Sequence, residues 1–219
     1  PVTTFPRRAL TLAAAVAGAV MLTACSGGGS PDGHSAYERE GDRGVGPIDA
    51  PVTIIEYASP TCPACKYFHD DILPALTEKY VVTGKVKFVF REYPIHGPDV
   101  PAYLVATCAG EDKYFDVLDE LFEYQSGIVE SAQNGVLKAM LQTIGQRHGI
   151  ESEADFDACM NNRELREQMA DVYQTAEAYG VTGTPTDLAG ITSDNYADGS
   201  RYFLEYPEDI QLLGASFNT

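Results

Sequence analysis

Cys62-Pro63-Ala64-Cys65 constrains this chain more than any other stretch. It follows an apolar, β-branched run, Val52-Thr53-Ile54-Ile55-Glu56-Tyr57-Ala58, and precedes a helical pattern opening with Lys66-Tyr67-Phe68-His69. A Cys-x-x-Cys at a strand-to-helix junction is where a redox-active dithiol belongs. Spacing i, i+3 on a first helical turn puts both sulfurs on one face, close enough to bridge. Cys62 falls at the helix N-terminus, where unpaired N–H groups and the positive dipole end favour a thiolate. Such placements lower a thiol pKa from about 8.5 to about 3.5–7.5. Pro63 takes the first helical position, where its missing N–H costs nothing. Two other readings share the motif: half of a zinc site, or a buried structural disulfide. Zinc needs two more ligands, and no second Cys-x-x-Cys or paired histidine follows. His34, His96 and His148 show no ligand spacing, so no metal is expected.

The chain has five cysteines, at 25, 62, 65, 108 and 159. The N-terminus accounts for the odd one. Arg7-Arg8 leads into an apolar run from Ala9 to Leu22, then Leu22-Thr23-Ala24-Cys25, as a signal peptide ends in small residues before its cleavage site. The run is shorter than the roughly 20 residues a spanning helix needs. Leu-Thr-Ala-Cys looks like a bacterial lipobox, which makes residues 1–24 a lipoprotein-type signal peptide and Cys25 the lipidated N-terminus. The alternative is ordinary cleavage near Ala24, leaving Cys25 unmodified. The polar tether from Ser26 to Gly33 suits a lipid-anchored domain, and residues 25–47 are expected to be linker. Cys108 and Cys159 then remain as a candidate structural bridge in an oxidising compartment. It would close a loop of about 50 residues and stabilise by about 4 kcal/mol on the chain-entropy model. The other reading is two buried free cysteines acting as small hydrophobes.

The formal charge of −17 argues against a nucleic-acid partner and against attraction to anionic lipid, so any membrane contact is expected through the anchor alone. Cleavage before Cys25 would remove two arginines and no acid, leaving the chain more acidic still. The stretch from Val45 onward is long enough to bury about 70% of its surface as one unit.

Periodicity gives βαβ, then helices, then a β-rich tail. Pro51–Ala58 reads as a buried strand, and Lys85–Glu92 as a strand parallel to it. Thr61 to Val82 reads as a helix that Pro74 should kink. The patterns predict helices at Val100–Ala109, Asp112–Tyr124, Ala132–His148, Glu153–Asn161 and Arg163–Tyr179. Val181–Thr219 should hold two strands and a last helix near Pro207–Gly214.

In this order the chain resembles the DsbA-like thiol-disulfide oxidoreductases, α/β proteins with a thioredoxin fold and an inserted all-helical domain. The pieces that carry it are Glu56-Tyr-Ala-Ser-Pro-Thr-Cys62-Pro-Ala-Cys65, Phe68-His69, Leu73-Pro74, Phe90-Arg-Glu-Tyr-Pro94, Cys108-Ala-Gly-Glu, Phe156-Asp-Ala-Cys159 and Gly180-Val-Thr-Gly-Thr-Pro185-Thr. The resemblance implies a thioredoxin-like domain over 48–96 and 180–219, with 97–179 inserted. Thr184-Pro185 matches the family's cis-proline loop, which exposes backbone to an extended substrate peptide beside Pro63 and Ala64. Glu56 matches an acidic residue that assists proton transfer at the inner cysteine, a task suited to a carboxyl in low dielectric. The alternative for Glu56 is a strand residue facing solvent, and for Thr184-Pro185 an ordinary trans turn. His69 also occurs in the family pattern and is expected to pack or cap rather than catalyse. The chain departs from the pattern at Asp187, an acid at an expected buried strand position.

The expected function is disulfide introduction into exported proteins of a bacterial cell envelope, facing the periplasm, by exchange at Cys62–Cys65 without a cofactor. Partners would be thiol- or disulfide-containing exported proteins and a membrane redox protein that reoxidises the pair. Reductase and isomerase chemistry use the same residues. A lipoprotein that only binds partners, its cysteines structural, would bury both sulfurs, whereas an enzyme should leave Cys62 accessible.

Overall fold

The structure, a computed structural model, describes residues 38–191. The expected signal peptide, Cys25, the second C-terminal strand and the last helix lie outside them. Four strands form one sheet in the order β1-β3-β2-β4. β2 (Val52–Ala58) and β3 (Val86–Glu92) pair in parallel, Glu56 opposite Phe90. β4 (Thr186–Ile191) runs antiparallel to β2, Asp187 opposite Glu56. β1 (Arg43–Val45) runs antiparallel to β3 on the other edge.

β1 corrects the expectation that 25–47 is linker throughout. Three residues are too few to show a period, and here edge pairing specifies them. Gly44 is part of the reason: a Cβ there would meet the Phe88 carbonyl oxygen at 2.6 Å. The segment before it is also fastened to the sheet. Glu38 accepts from Thr53 Oγ1 at 2.8 Å and pairs with Lys87, and Asp42 pairs with the buried Arg91 at 2.7 Å.

The connection from β2 to β3 is helical but not regular. α1 (Pro63–Tyr67) passes into a π-helical turn (Phe68–Ile72), then α2 (Leu73–Leu76) and a second π turn (Thr77–Val81). Pro74 has no N–H and its ring crowds the carbonyl one turn back, so the expected kink takes the form of a widened turn. Leu73 N–H accordingly reaches Phe68 O, five residues back.

Between β3 and β4 the described chain is helical: α3 (Asp99–Cys108), a 3₁₀ turn (Glu111–Lys113), α4 (Tyr114–Glu123), α5 (Gln125–Gln133), α6 (Leu137–Arg147), α7 (Glu153–Met160) and α8 (Arg163–Ala176) with a closing 3₁₀ turn (Glu177–Tyr179). The expected helix 132–148 is two pieces, and α5 occupies what periodicity left as a connection. Gly135, at φ +73°, ends α5 in the left-handed conformation that glycine favours. Cys108 and Cys159 are joined by a disulfide, Cα atoms 6.1 Å apart, which ties α3 to α7. No helix among the described residues is long and apolar enough to cross a membrane.

Strand alternation divides the interior. Ile54 and Ala58 of β2, with Val86, Phe88 and Phe90 of β3, join the larger core shared with α1 and the helices. Ile55, Tyr57, Val89 and Tyr93 face the other way, with Ala176 and Val181. The period of two puts Glu56 on the first face, against the larger core.

Candidate active site

The Cys62–Cys65 pair sits where β2 hands over to α1. Cys62 is the N-cap, in extended conformation, and its sulfur accepts from Cys65 N–H at 3.3 Å. Pro63 takes the first turn, and Lys66 N–H closes on Cys62 O at 3.1 Å. Both cysteines are free thiols. Cys65 is fully buried and Cys62 is 5% exposed. Both sulfurs are thus buried, against the expectation of an accessible Cys62, though as free thiols and not as a structural bridge. Thr184 accounts for part of the cover: its carbonyl oxygen accepts from Cys62 Sγ at 3.4 Å.

The two sulfurs nevertheless differ sharply in acidity. The Cys65 thiol, with help from Thr184 and the N–H groups of Cys65 and Ala64, outweighs burial and brings Cys62 down to about 5. Burial, then the neighbouring Cys62, pushes Cys65 up. The N–H groups expected at the helix N-terminus, those of Cys65 and Ala64, thus contribute to the acidity of Cys62, with the Cys65 thiol the largest contributor. The Thr184–Pro185 bond is cis, and the Thr184 hydroxyl is buried without a partner among the described residues, free to donate to a Cys62 thiolate.

Glu56 is fully buried, and neither carboxyl oxygen has a hydrogen-bond partner among the described residues. The solvent-facing alternative is thereby excluded. Burial raises its pKa well above the ordinary value, and the negative charge of Cys62 adds to the effect. His69 packs, as expected, stacking on Phe122, but its Nε2 also faces Glu56 Oε2 at 3.4 Å.

Two anchors of the active-site loop carry no motif in the sequence. Asp99, fully buried at the start of α3, accepts from Thr61 Oγ1 at 2.6 Å, Ser59 Oγ at 2.8 Å and the N–H groups of Ile95 and His96. Gln125, opening α5, donates Nε2–H to the carbonyls of Pro60 at 2.8 Å and Cys62 at 2.9 Å. The only sequence cue for Asp99 was an acid in the first turn of a helix, and Gln125 offered none. Beside them a cavity of about 880 Å³ opens next to Pro63, with Thr61, His96, Pro98 and Gln125 in its wall. Among the described residues no cluster of His, Cys, Asp and Glu could hold a metal.

A sequence profile of the thioredoxin family matches residues 38–192, most of the chain. The chain is a DsbA-like member of the thioredoxin superfamily. Its solved neighbours agree in fold. Wolbachia pipientis alpha-DsbA1 superposes with a TM-score of 0.64 at 22% identity, over 80% of this chain and 83% of that one. Oxidised BdbD from Bacillus subtilis superposes with a TM-score of 0.60 at 26% identity, over 79% and 90%. A Rickettsia typhi protein, provisionally named a protein-disulfide oxidoreductase, is 33% identical over 148 residues. That alignment takes in 67% of this DsbA-like chain but 54% of the Rickettsia protein, so the chain spans little more than half the length of this relative.

Proposed function

We propose that this chain is a thiol-disulfide oxidoreductase that introduces disulfides into exported proteins. The observation that carries the reading is the asymmetry of the pair: Cys62 is acidic, down to about 5, while burial holds Cys65 protonated. A stabilised Cys62 thiolate stabilises the reduced form, and a dithiol whose reduced form is favoured is an oxidant.

The reaction starts from the Cys62–Cys65 disulfide. A substrate thiolate attacks Cys62 Sγ, the sulfur–sulfur bond breaks, and Cys65 leaves with the electron pair. Glu56, sealed beneath the motif on β2 and held protonated by burial, supplies the proton that makes Cys65 a thiol. A second substrate thiolate attacks the substrate sulfur of the mixed disulfide, and Cys62 departs as a thiolate. The substrate leaves oxidised by two electrons and the pair stays reduced. Electrons travel in the sulfur–sulfur bonds, so the exchange requires no cofactor. The substrate backbone adds along Thr184-Pro185, and residues flanking its cysteine meet Pro63, Ala64 and the neighbouring cavity.

A membrane redox partner returns the pair to the disulfide. Export and lipidation at Cys25 would hold the protein at the envelope, facing the periplasm, where disulfides persist. The direct test follows disulfide formation in a reduced, unfolded two-cysteine protein with stoichiometric oxidised protein. Wild type should oxidise it while losing its own disulfide. Cys62→Ala and Cys65→Ala, neither of which can form the active-site disulfide, should both be inactive. A wild-type protein that leaves the substrate reduced contradicts the proposal.

A further inference from the structure

His69 is buried, and the exchange steps above make no use of it. It lies in the π-helical turn before Pro74, its ring flat on Phe122 of α4 with centroids 3.9 Å apart and Phe90 at its edge. On one side Nε2 faces Glu56 Oε2 at 3.4 Å, and neither atom has a hydrogen-bond partner among the described residues. On the other, Nδ1 faces Asp119 Oδ1 at 3.9 Å, and the Asp119 side chain is 74% exposed. That side opens on a cavity of about 470 Å³ walled by His69, Asp119, Leu73 and Glu78. One imidazole therefore separates a sealed carboxyl from water, with a nitrogen toward each.

We propose that His69 is the relay through which Glu56 exchanges protons with solvent, at the cavity beside Asp119 and away from the substrate face. The proposal rests on the reading that Glu56 serves Cys65. When Cys65 leaves as a thiolate, Glu56 gives it the carboxyl proton. The new carboxylate takes the Nε2 proton of His69 while Nδ1 accepts one from the cavity, and the ring ends neutral with its proton moved. Reoxidation runs these steps backward: Glu56 passes its proton to Nε2 while Nδ1 releases one to the cavity, and the carboxylate then takes the proton of Cys65. The two half-reactions restore the starting tautomer, so the ring never has to turn over against Phe122.

A relay of this kind needs a neutral imidazole, with one N–H and one lone pair. Burial brings His69 down to about 4, against the pull of Asp119 and Asp70, and Lys66 adds to the effect. The charged or titratable groups around it are Glu56 on β2, Lys66 on α1, Asp70 on its own turn, Glu78 across the cavity and Asp119 on α4. The exposed acids gather protons at the outer end.

The test is the resolution of a Cys62–glutathione mixed disulfide, formed by mixing reduced protein with oxidised glutathione. In this step the Cys65 thiol loses its proton, the thiolate attacks Cys62 Sγ and glutathione thiolate leaves. His69→Gln should slow resolution about tenfold or more near neutral pH, within the range of general acid–base effects. The pH profile for alkylation of Cys62 should stay unchanged, which separates a relay from a loosened site. Glu56→Gln should slow resolution similarly, and the double variant should be no slower, because the groups act in series. His69→Phe, which keeps the stack on Phe122, should behave as His69→Gln and serves where glutamine does not fold. Resolution within about twofold of wild type in the His69 variants, with Glu56→Gln slow, overturns the relay and leaves the Glu56 reading standing. Resolution unaffected by Glu56→Gln overturns that reading and the relay with it.

Discussion

A carboxyl group sealed from water without a hydrogen-bond partner destabilises the fold whenever it is charged. For Glu56 the folded pKa is raised, by burial first and by Cys62 second. The folded state thus binds this proton more tightly than the unfolded chain, whose glutamate titrates near about 4.3. The stabilising contribution is fully present below that value and is lost as pH rises through the raised folded pKa. Glu56→Gln should therefore match wild type in acid and become progressively more stable than it as pH rises. Thermal melts across pH detect this at about 2–4 °C per kcal/mol for a domain of this size. A difference that does not change with pH would show that the carboxyl is not the titrating group. The position of Glu56 was legible in the sequence, since period-two alternation puts it on the face of Ile54 and Ala58. Its isolation was not, because a strand pattern does not say which helices will cover that face.

At the scale of elements, the active-site turn is held from two directions. α1 carries the cysteines at its N-terminus, while α3 and α5 grip the loop that joins it to β2 through Asp99 and Gln125. Replacing Gln125 with alanine would leave the buried Pro60 carbonyl without this donor, while the Cys62 carbonyl would keep that of Lys66 N–H. Such a loss costs about 1–3 kcal/mol per unsatisfied group where water cannot replace the donor. Gln125→Ala should lower the unfolding midpoint and disorder the turn, shifting the alkylation midpoint of Cys62 away from about 5, since the Cys65 and Ala64 donors would lose alignment. Urea melts and pH-dependent alkylation together check this; an unchanged midpoint with unchanged stability would make the contact incidental. Sequence patterns could not reveal these grips. A glutamine beginning a helix has no signature, and α5 itself was hidden by weak amphipathicity around Gly127. By contrast β2, β3, the break at Pro74 and α7 announce themselves through an apolar β-branched run, alternation, a breaker residue and helical periodicity.

At the scale of the molecule, one sheet separates two cores among the described residues, and most of the described helices pack on the side that carries the chemistry. The Cys108–Cys159 disulfide ties α3 to α7 within that helical layer, and α3 also carries Asp99, so the covalent tie and the active-site anchor share one element. The order of elements was readable because local motifs punctuate it. The β1 edge was not, since long-range pairing rather than local preference creates it. The cover over Cys62 likewise depends on Thr184, 122 residues further on, meeting its sulfur.

Disulfide introduction requires the Cys62–Cys65 pair to be an oxidant, and its reduction potential tests this most directly. The full chain would be equilibrated in glutathione buffers and the Cys62–Cys65 state followed by alkylation. We expect a potential less negative than about −180 mV, as the acidic Cys62 requires. A value near about −270 mV would place the pair among reductants and contradict the account.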